Sequence, residues 1–216
     1  MLHKDNSGSA HGEPYDASPL SGESAWKVAA AESAQQFDAM IESLRALQDR
    51  VAGSNPPISE MIEVTKRIDE IERLLSGYQV PYAESVAGRL EVPGRGQAMA
   101  PAFVVDHGDA AQVSGRVSFG RAYLGGGGAV HGGAIPLVFD EVLGRLATAG
   151  GRSRSRTAYL HVNYRAITPL ERELSLTARF DREEGRKRFL TGELRDGDTL
   201  LADAEGLFVA LRPGQP

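Results

Sequence analysis

The segment from Ala129 to Ala149, AVHGGAIPLVFDEVLGRLATA, constrains this chain more than any other. His131, Gly132 and Gly133 lead into it, and apolar residues then occupy almost the whole circumference of a 3.6-residue repeat. A helix that is apolar nearly all round is one enclosed by other structure. Whatever follows must therefore supply the layer that encloses it. Two acids sit in this helix with different neighbours. Glu141 has Arg145 four residues on, the spacing of an exposed ion pair. Asp140 has Pro136, Leu137, Leu143 and Gly144 at its helical neighbour positions and no basic partner among them. A carboxylate buried without a partner costs several kcal/mol or takes up a proton. Asp140 is thus either an acid satisfied by serine, threonine or backbone donors, or one kept for chemistry.

The enclosing layer is legible downstream. Ser114 to Phe119 is a short strand candidate before the glycines at 125–128. After the helix and a basic loop, Gly150 to Arg156, the residues Ala158, Leu160, Val162, Tyr164 and Ala166 alternate with Tyr159, His161, Asn163 and Arg165. Leu174, Leu176, Ala178 and Phe180 alternate in the same way, and strands are expected over Arg186–Arg195 and Thr199–Leu211. The Asp196-Gly197 step between the last two is a hairpin signal. Parallel pairing would need a crossover helix between strands, and the pattern contains none. The class is α+β: an antiparallel sheet wrapped around one central helix.

Upstream the pattern is helical. Phe37, Met40, Ile41, Leu44, Leu47 and Val51 recur at three- and four-residue steps, as do Ile58, Met61, Thr65, Ile68, Ile71 and Leu75. Gly53-Ser54-Asn55-Pro56-Pro57 between them offers a C-terminal glycine, a possible cap and a proline start. This predicts a disordered tail over 1–21, a helical hairpin over 22–78 and the α+β domain over 79–216. Each helix has one apolar stripe, so the pair must dock on the rest of the chain or on another copy; a substrate lid or a partner platform is the other reading.

Composition narrows the function. The net charge of −5 argues against a general nucleic-acid binder. The absence of cysteine excludes disulfides, thiolate metal sites and cysteine nucleophiles, and fits a reducing compartment. No apolar run approaches the roughly 20 residues of a membrane span. The first 25 residues mix acids with Gly, Ser and Pro, unlike a secretion signal or a transit peptide, and a cytoplasmic protein is expected. The glycines at 125–128 lack the strand–GxxxxGK[ST]–helix context of a phosphate loop and predict a flexible connection.

The order of elements, with His131-Gly132-Gly133-Ala134-Ile135 and an acid nine residues after the histidine, resembles the hotdog-fold acyl-CoA thioesterases. Within them the chain resembles the PaaI-type group, and most of all the branch of thioesterase superfamily members 4 and 5. The further matching pieces are Thr157-Ala158-x-Leu160-x-Val162-Asn163-Tyr164, Pro169-Leu170 and Glu184-Gly185-Arg186-Lys187. The resemblance implies a hotdog fold, a homodimer or dimer of dimers, and hydrolysis of fatty acyl-CoA to free acid and coenzyme A. It further implies that Asp140 is the catalytic base or nucleophile. His131 and the Gly132 N–H would hold and polarise the carbonyl, and Thr157 would supply a second hydroxyl across the dimer interface. Lys187 matches a basic residue implicated in activity. Gly125 stands where another PaaI-type branch has an asparagine, and Arg165 to Thr168 also departs from the relatives.

The residues can be read for the same chemistry. Gly132 and Gly133 at a helix N-terminus expose backbone donors to a developing oxyanion and let a carbonyl approach closely. A thioester is already a reactive acyl donor, so no metal or other cofactor is required. Arg152, Arg154 and Arg156, with Arg186 and Lys187, are either a solvated face or a site for coenzyme phosphates. Substrate contacts are expected at Gly133, Asn163, Arg156, Arg186 and Lys187. By strand parity Thr157 shares a face with His161 and Asn163, away from the Asp140 of its own chain, unless the regular strand begins only after it. His131, Asp140 and His161 do not make a persuasive metal set. The rival readings are an acyl-CoA-binding hotdog protein without catalysis, an interaction protein built on the helical hairpin, and a dehydratase, for which the usual Asp/His motif is missing.

Overall fold

The computed structural model of the protein describes residues 31–215. The tail expected over 1–21 and the first part of the expected hairpin, 22–30, lie outside the described residues. Two helices come first, α1 (Ala31–Ala52) and α2 (Ile58–Ser76). Then follow β1 (Phe103–Gly108), β2 (Gln112–Ser118), the central helix α3 (Ala134–Thr148), and β3 (Ser155–Tyr164), β4 (Glu173–Glu184), β5 (Lys187–Asp196) and β6 (Thr199–Ala210). The strands form one six-stranded sheet in the order β1-β2-β4-β5-β6-β3, with every neighbouring pair antiparallel. This is the α+β arrangement expected, a sheet curled around one helix.

The sheet curls because one face of it is apolar and, among the described residues, α3 is the element that covers it. Leu174, Leu176 and Ala178 of β4, Leu190 and Leu194 of β5, and Ala202, Ala204 and Phe208 of β6 point inward at alternate positions. They meet Val138, Phe139, Val142, Leu143 and Leu146 of α3 in one continuous core. Gly192 lets the sheet approach the helix closely: a Cβ there would lie 3.0 Å from the Phe139 ring. β1 was not foreseen. Only Phe103 of its six residues is buried, so no period-two pattern announces it.

The N-terminal helices are present, and they behave differently. α1 docks on the domain. Ile41 is buried, the Asp49 carboxylate accepts the Ala122 N–H at 2.8 Å, and the Phe37 ring packs against Gly96. Arg45 donates to the Gln97 and Ala100 carbonyls, which holds the irregular segment before β1 beneath α1. That segment runs along the open side of α3, where Arg95 pairs with Glu141 at 3.3 Å. Glu141 therefore finds its cation across the fold and not at Arg145, because α3 turns this side toward the segment. No residue of α2 is buried. Between the helices, Gly53 donates to the Asp49 carbonyl at 3.0 Å, and Pro57 stands at the start of α2 with no side-chain cap, so Asn55 does not serve as one.

Phe139 is 0% exposed and touches both helix and sheet partners. Phe139→Ala is expected to cost about 3–5 kcal/mol, the usual range for removing a buried aromatic ring, read as a lower midpoint in urea unfolding at unchanged slope.

Candidate active site

The site begins with an irregularity in β3. In its ladder with β6, Thr157 pairs with Phe208 and Tyr159 with Leu207, so Ala158 is an extra residue opposite no partner. A bulge of this kind reverses the facing of everything before it. Downstream, Leu160 and Val162 pack inward while Tyr159, His161 and Asn163 face out. Upstream, Thr157 turns inward beside the buried Phe208 and the buried Arg188 in the neighbouring strands. Its hydroxyl donates to Asp140 Oδ1 of the same chain at 2.8 Å. The parity expectation for Thr157 is overturned by that single inserted residue.

Asp140 and Thr157 line a groove of about 960 Å³. Asp140, Gly144 and Thr148 succeed one another along one side of α3, while Ser155 and Thr157 do so along β3. Within the chain Asp140 is exposed, not enclosed as its apolar neighbours suggested. The sheet wraps most of α3 but leaves this side uncovered, and Asp140 and Arg145 are the exposed residues of the helix there. The groove is rich in donors. The Ser155 hydroxyl is buried with no partner. Arg145 and Arg154 line the groove without a side-chain hydrogen bond or ion pair among the described residues. Arg156 lines it too.

His131, Gly132 and Gly133 stand elsewhere. None lines the groove, and the six residue steps from Ala134 to Asp140 span roughly 9 Å of helix axis. The His131 ring folds back on the turn, its Nδ1 accepting the Gly133 N–H at 3.0 Å. That bond assigns the ring proton to Nε2. The Gly132 carbonyl accepts the Tyr164 hydroxyl at 2.7 Å, while the Gly132 N–H has no acceptor among the described residues. The glycines at 125–128 form a short turn that closes through Gly125 N–H to the Ala129 carbonyl at 2.7 Å. Gly125 is packed so tightly that a Cβ would lie 2.7 Å from His131 Cα, so no side chain fits at this position.

The remaining expected contacts are dispersed. Asn163 belongs to a chain on the outer face, its amide donating to Asp203 Oδ1 at 3.1 Å and its Oδ1 meeting His161 Nε2 at 3.2 Å. Arg186 donates to the Ala210 carbonyl at 2.9 Å. Lys187 pairs with Val209 and Val209 with Arg156, which sets Lys187 and Arg156 two strands apart in one row at the rim. Among the described residues no group of His, Asp and Glu is placed to hold a metal ion. Two further residues shape the site, and neither carries a signal in the sequence. Ser155 lies two positions before Thr157 and so shares its facing. Arg188, 3% exposed, donates to the carbonyls of Ala147 and Ser153 and to the Ser153 hydroxyl, and pairs with Glu183 at 3.1 Å. It ties the end of α3 and the loop before β3 to β5, which fixes where Ser155 and Thr157 begin. An arginine in a strand carries no such signal in sequence.

Residues 127–202 match the family model described as Thioesterase superfamily. A thioesterase superfamily protein of known crystal structure superposes with a TM-score of 0.69 at 29% identity, covering 80% of this chain and 90% of that one. The fold is thus that of the hotdog thioesterases, and residues 127–202 are similar to the thioesterase superfamily. Among curated proteins, the acyl-coenzyme A thioesterase THEM4 of Bos taurus is 38% identical over 97 residues, 44% of this chain and 39% of that protein. THEM4 of Mus musculus is 34% identical over 91 residues, 41% of this chain and 39% of its own length. The chain spans about two fifths of the length of these relatives, and it is near THEM4 within that span.

The outer-face network gives a pH-dependent prediction. The hydrogen bond from Arg165, aided by Asn163 and opposed by burial, holds the Asp203 carboxyl below its ordinary value of 3.8. A depressed folded value means stability that is present above 3.8 and is lost as pH falls through the folded value. Arg165→Gln is expected to lower stability at neutral pH, with the gap to the parent closing as pH drops below 3.8 in urea titrations. A gap that persists in acid would show that Arg165 acts through packing and not through Asp203.

Proposed function

We propose that the protein hydrolyses acyl-CoA to the free acid and coenzyme A, with Asp140 as the general base. The observation that carries this reading is the Thr157 hydroxyl on Asp140 Oδ1 at 2.8 Å inside the groove. The bond fixes the carboxylate and leaves Oδ2 free to take a proton from water as that water attacks the thioester carbonyl. The tetrahedral oxyanion requires donors, and the unengaged Gly132 N–H and the His131 Nε2–H are suited to it. Collapse expels the thiolate of coenzyme A, a good leaving group. Arg145 and Arg154, with Arg156 and Lys187 at the rim, are suited to coenzyme phosphates, whereas Arg186 is occupied by the Ala210 carbonyl.

In one chain the base and the oxyanion donors are roughly 9 Å or more apart along α3 and cannot serve one carbonyl. We infer a homodimer in which the second copy brings its His131-Gly132 turn to the Asp140-Thr157 pair of the first. The open side of α3 and the unpaired outer edge of β3, ten residues long, support that assembly. Thr157 then acts on the acid of its own chain, and the histidine–glycine turn is what crosses the interface. Residues 79–216 would form the hydrolytic unit with 22–78 as an extension of it. The absence of cysteine supports a reducing compartment such as the cytoplasm, and no helix among the described residues is long and apolar enough to cross a membrane.

Thiol release from a panel of acyl-CoA chain lengths, followed with a colorimetric reagent, tests the reading. Asp140→Asn is expected to lower kcat/KM by about 10²–10⁴-fold, the usual share of a general base. Thr157→Val should lower it by about tenfold, the equivalent of one hydrogen bond to a charged group. Full activity in Asp140→Asn would overturn the mechanism. Tight acyl-CoA binding without turnover at any chain length would point instead to a carrier or sensor.

A further inference from the structure

α2 is a helix of 19 residues with none buried, and its large apolar residues are bare: Ile58 is 75% exposed, Ile71 53% and Leu74 64%. A helix of this kind owes its stability to packing of an apolar face, which nothing in the described chain provides. The spacing of that face is specific. Met61, Val64, Ile68, Ile71 and Leu75 follow one another at intervals of three, four, three and four. That is the narrow seam of a two-stranded coil, not the broader stripe of a helix lying on a globular core. Over roughly 21 Å it offers five layers.

The flanking charges indicate what covers it. Five acids against three bases on α2 make an anionic lipid surface or a nucleic acid a poor occupant. They suit a second α2 laid alongside in the same direction. With Met61, Ile68 and Leu75 at the first position of each heptad, Arg67 flanks the seam on one side and Glu72 on the other, five residues later. In a parallel pair that offset sets Arg67 of each copy against Glu72 of the other, twice by symmetry. Among the described residues Arg67 pairs with Glu63, at 2.9 Å on the solvated face, so it can turn to Glu72 of the second copy at little cost. Lys66 and Arg73 lie on the far side of the helix, away from the seam.

We propose that α2 is a self-association element that forms a parallel two-stranded coil with α2 of a second copy of this chain. It is separate from the groove at Asp140 and independent of the hydrolase reading. It would tie two copies together even when their sheet edges part, and so raise the effective concentration of one domain for the other.

The chain contains no cysteine, so single introduced thiols report cleanly. Met61→Cys and Leu75→Cys, each in the full chain, place a thiol at opposite ends of the seam. In a parallel pair each faces its own counterpart within disulfide reach. Mild oxidation is expected to give a covalent dimer on a non-reducing gel from both variants and little from Lys66→Cys on the outer face. Ile68→Glu added to Leu75→Cys should abolish the cross-link while circular dichroism and a cooperative urea transition show that the domain is still folded. Three outcomes overturn the proposal: no dimer from either seam variant, as in an antiparallel pair or a different occupant; equal cross-linking from Lys66→Cys; or a cross-link that survives Ile68→Glu.

Discussion

The burial of α3 against the inner face of the sheet is the contact on which everything else rests. The helix supplies Val138, Phe139, Val142, Leu143 and Leu146, and strands β4, β5 and β6 close around them. Apolar area removed from water on this scale is the main favourable term for a domain of this size. It also dictates what remains outside. A sheet of six strands curls far enough to cover most of one helix but not all of it, and the uncovered side is where Asp140 and Arg145 emerge. The position of the acid is therefore a by-product of the wrap: the same packing that buries Phe139 and Leu143 leaves it facing a groove.

A second layer of control comes from local departures from regularity. The extra residue at Ala158 in the β3–β6 ladder turns Thr157 from the outer face to the helix side. Arg188 then anchors the loop from which that strand starts, through the carbonyls of Ala147 and Ser153. A buried guanidinium is tolerated only when its donors are met, and here they are met by the Ala147 and Ser153 carbonyls, the Ser153 hydroxyl and the Glu183 carboxylate. The position of the Thr157 hydroxyl at 2.8 Å from Asp140 thus depends on a bulge and on an arginine whose hydrogen bonds go to neither residue.

The helical extension adds an asymmetry. α1 is held by directional bonds, Asp49 to the Ala122 amide and Arg45 to two carbonyls, and it presses the segment before β1 onto the groove. α2 leaves the body of the domain with its seam unfilled. Both helices carry a stripe of similar strength in sequence, and the stripe alone does not distinguish the one that docks from the one that stays bare. What separates them is whether polar residues on the flank, such as Asp49 and Arg45, find partners on the domain.

The amino-acid sequence by itself determined the class of fold, the enclosed helix, the hairpin at Asp196-Gly197 and five of the six strands, because periodicity and turn chemistry are local properties of neighbouring residues. It also singled out Asp140, since an acid on an apolar helix stands out without any structure. Only the tertiary structure decided that Asp140 is exposed, that Glu141 pairs with Arg95, that Thr157 meets the acid of its own chain and that the His131 turn stands apart from it. Each of these depends on a register, a bulge or a contact between residues far apart in the chain, and such pairings are set by the packing of the whole and not by any single stretch. β1 escaped for the same reason: with one buried residue in six it is a strand because β2 offers it hydrogen bonds, and not because its own residues demand it.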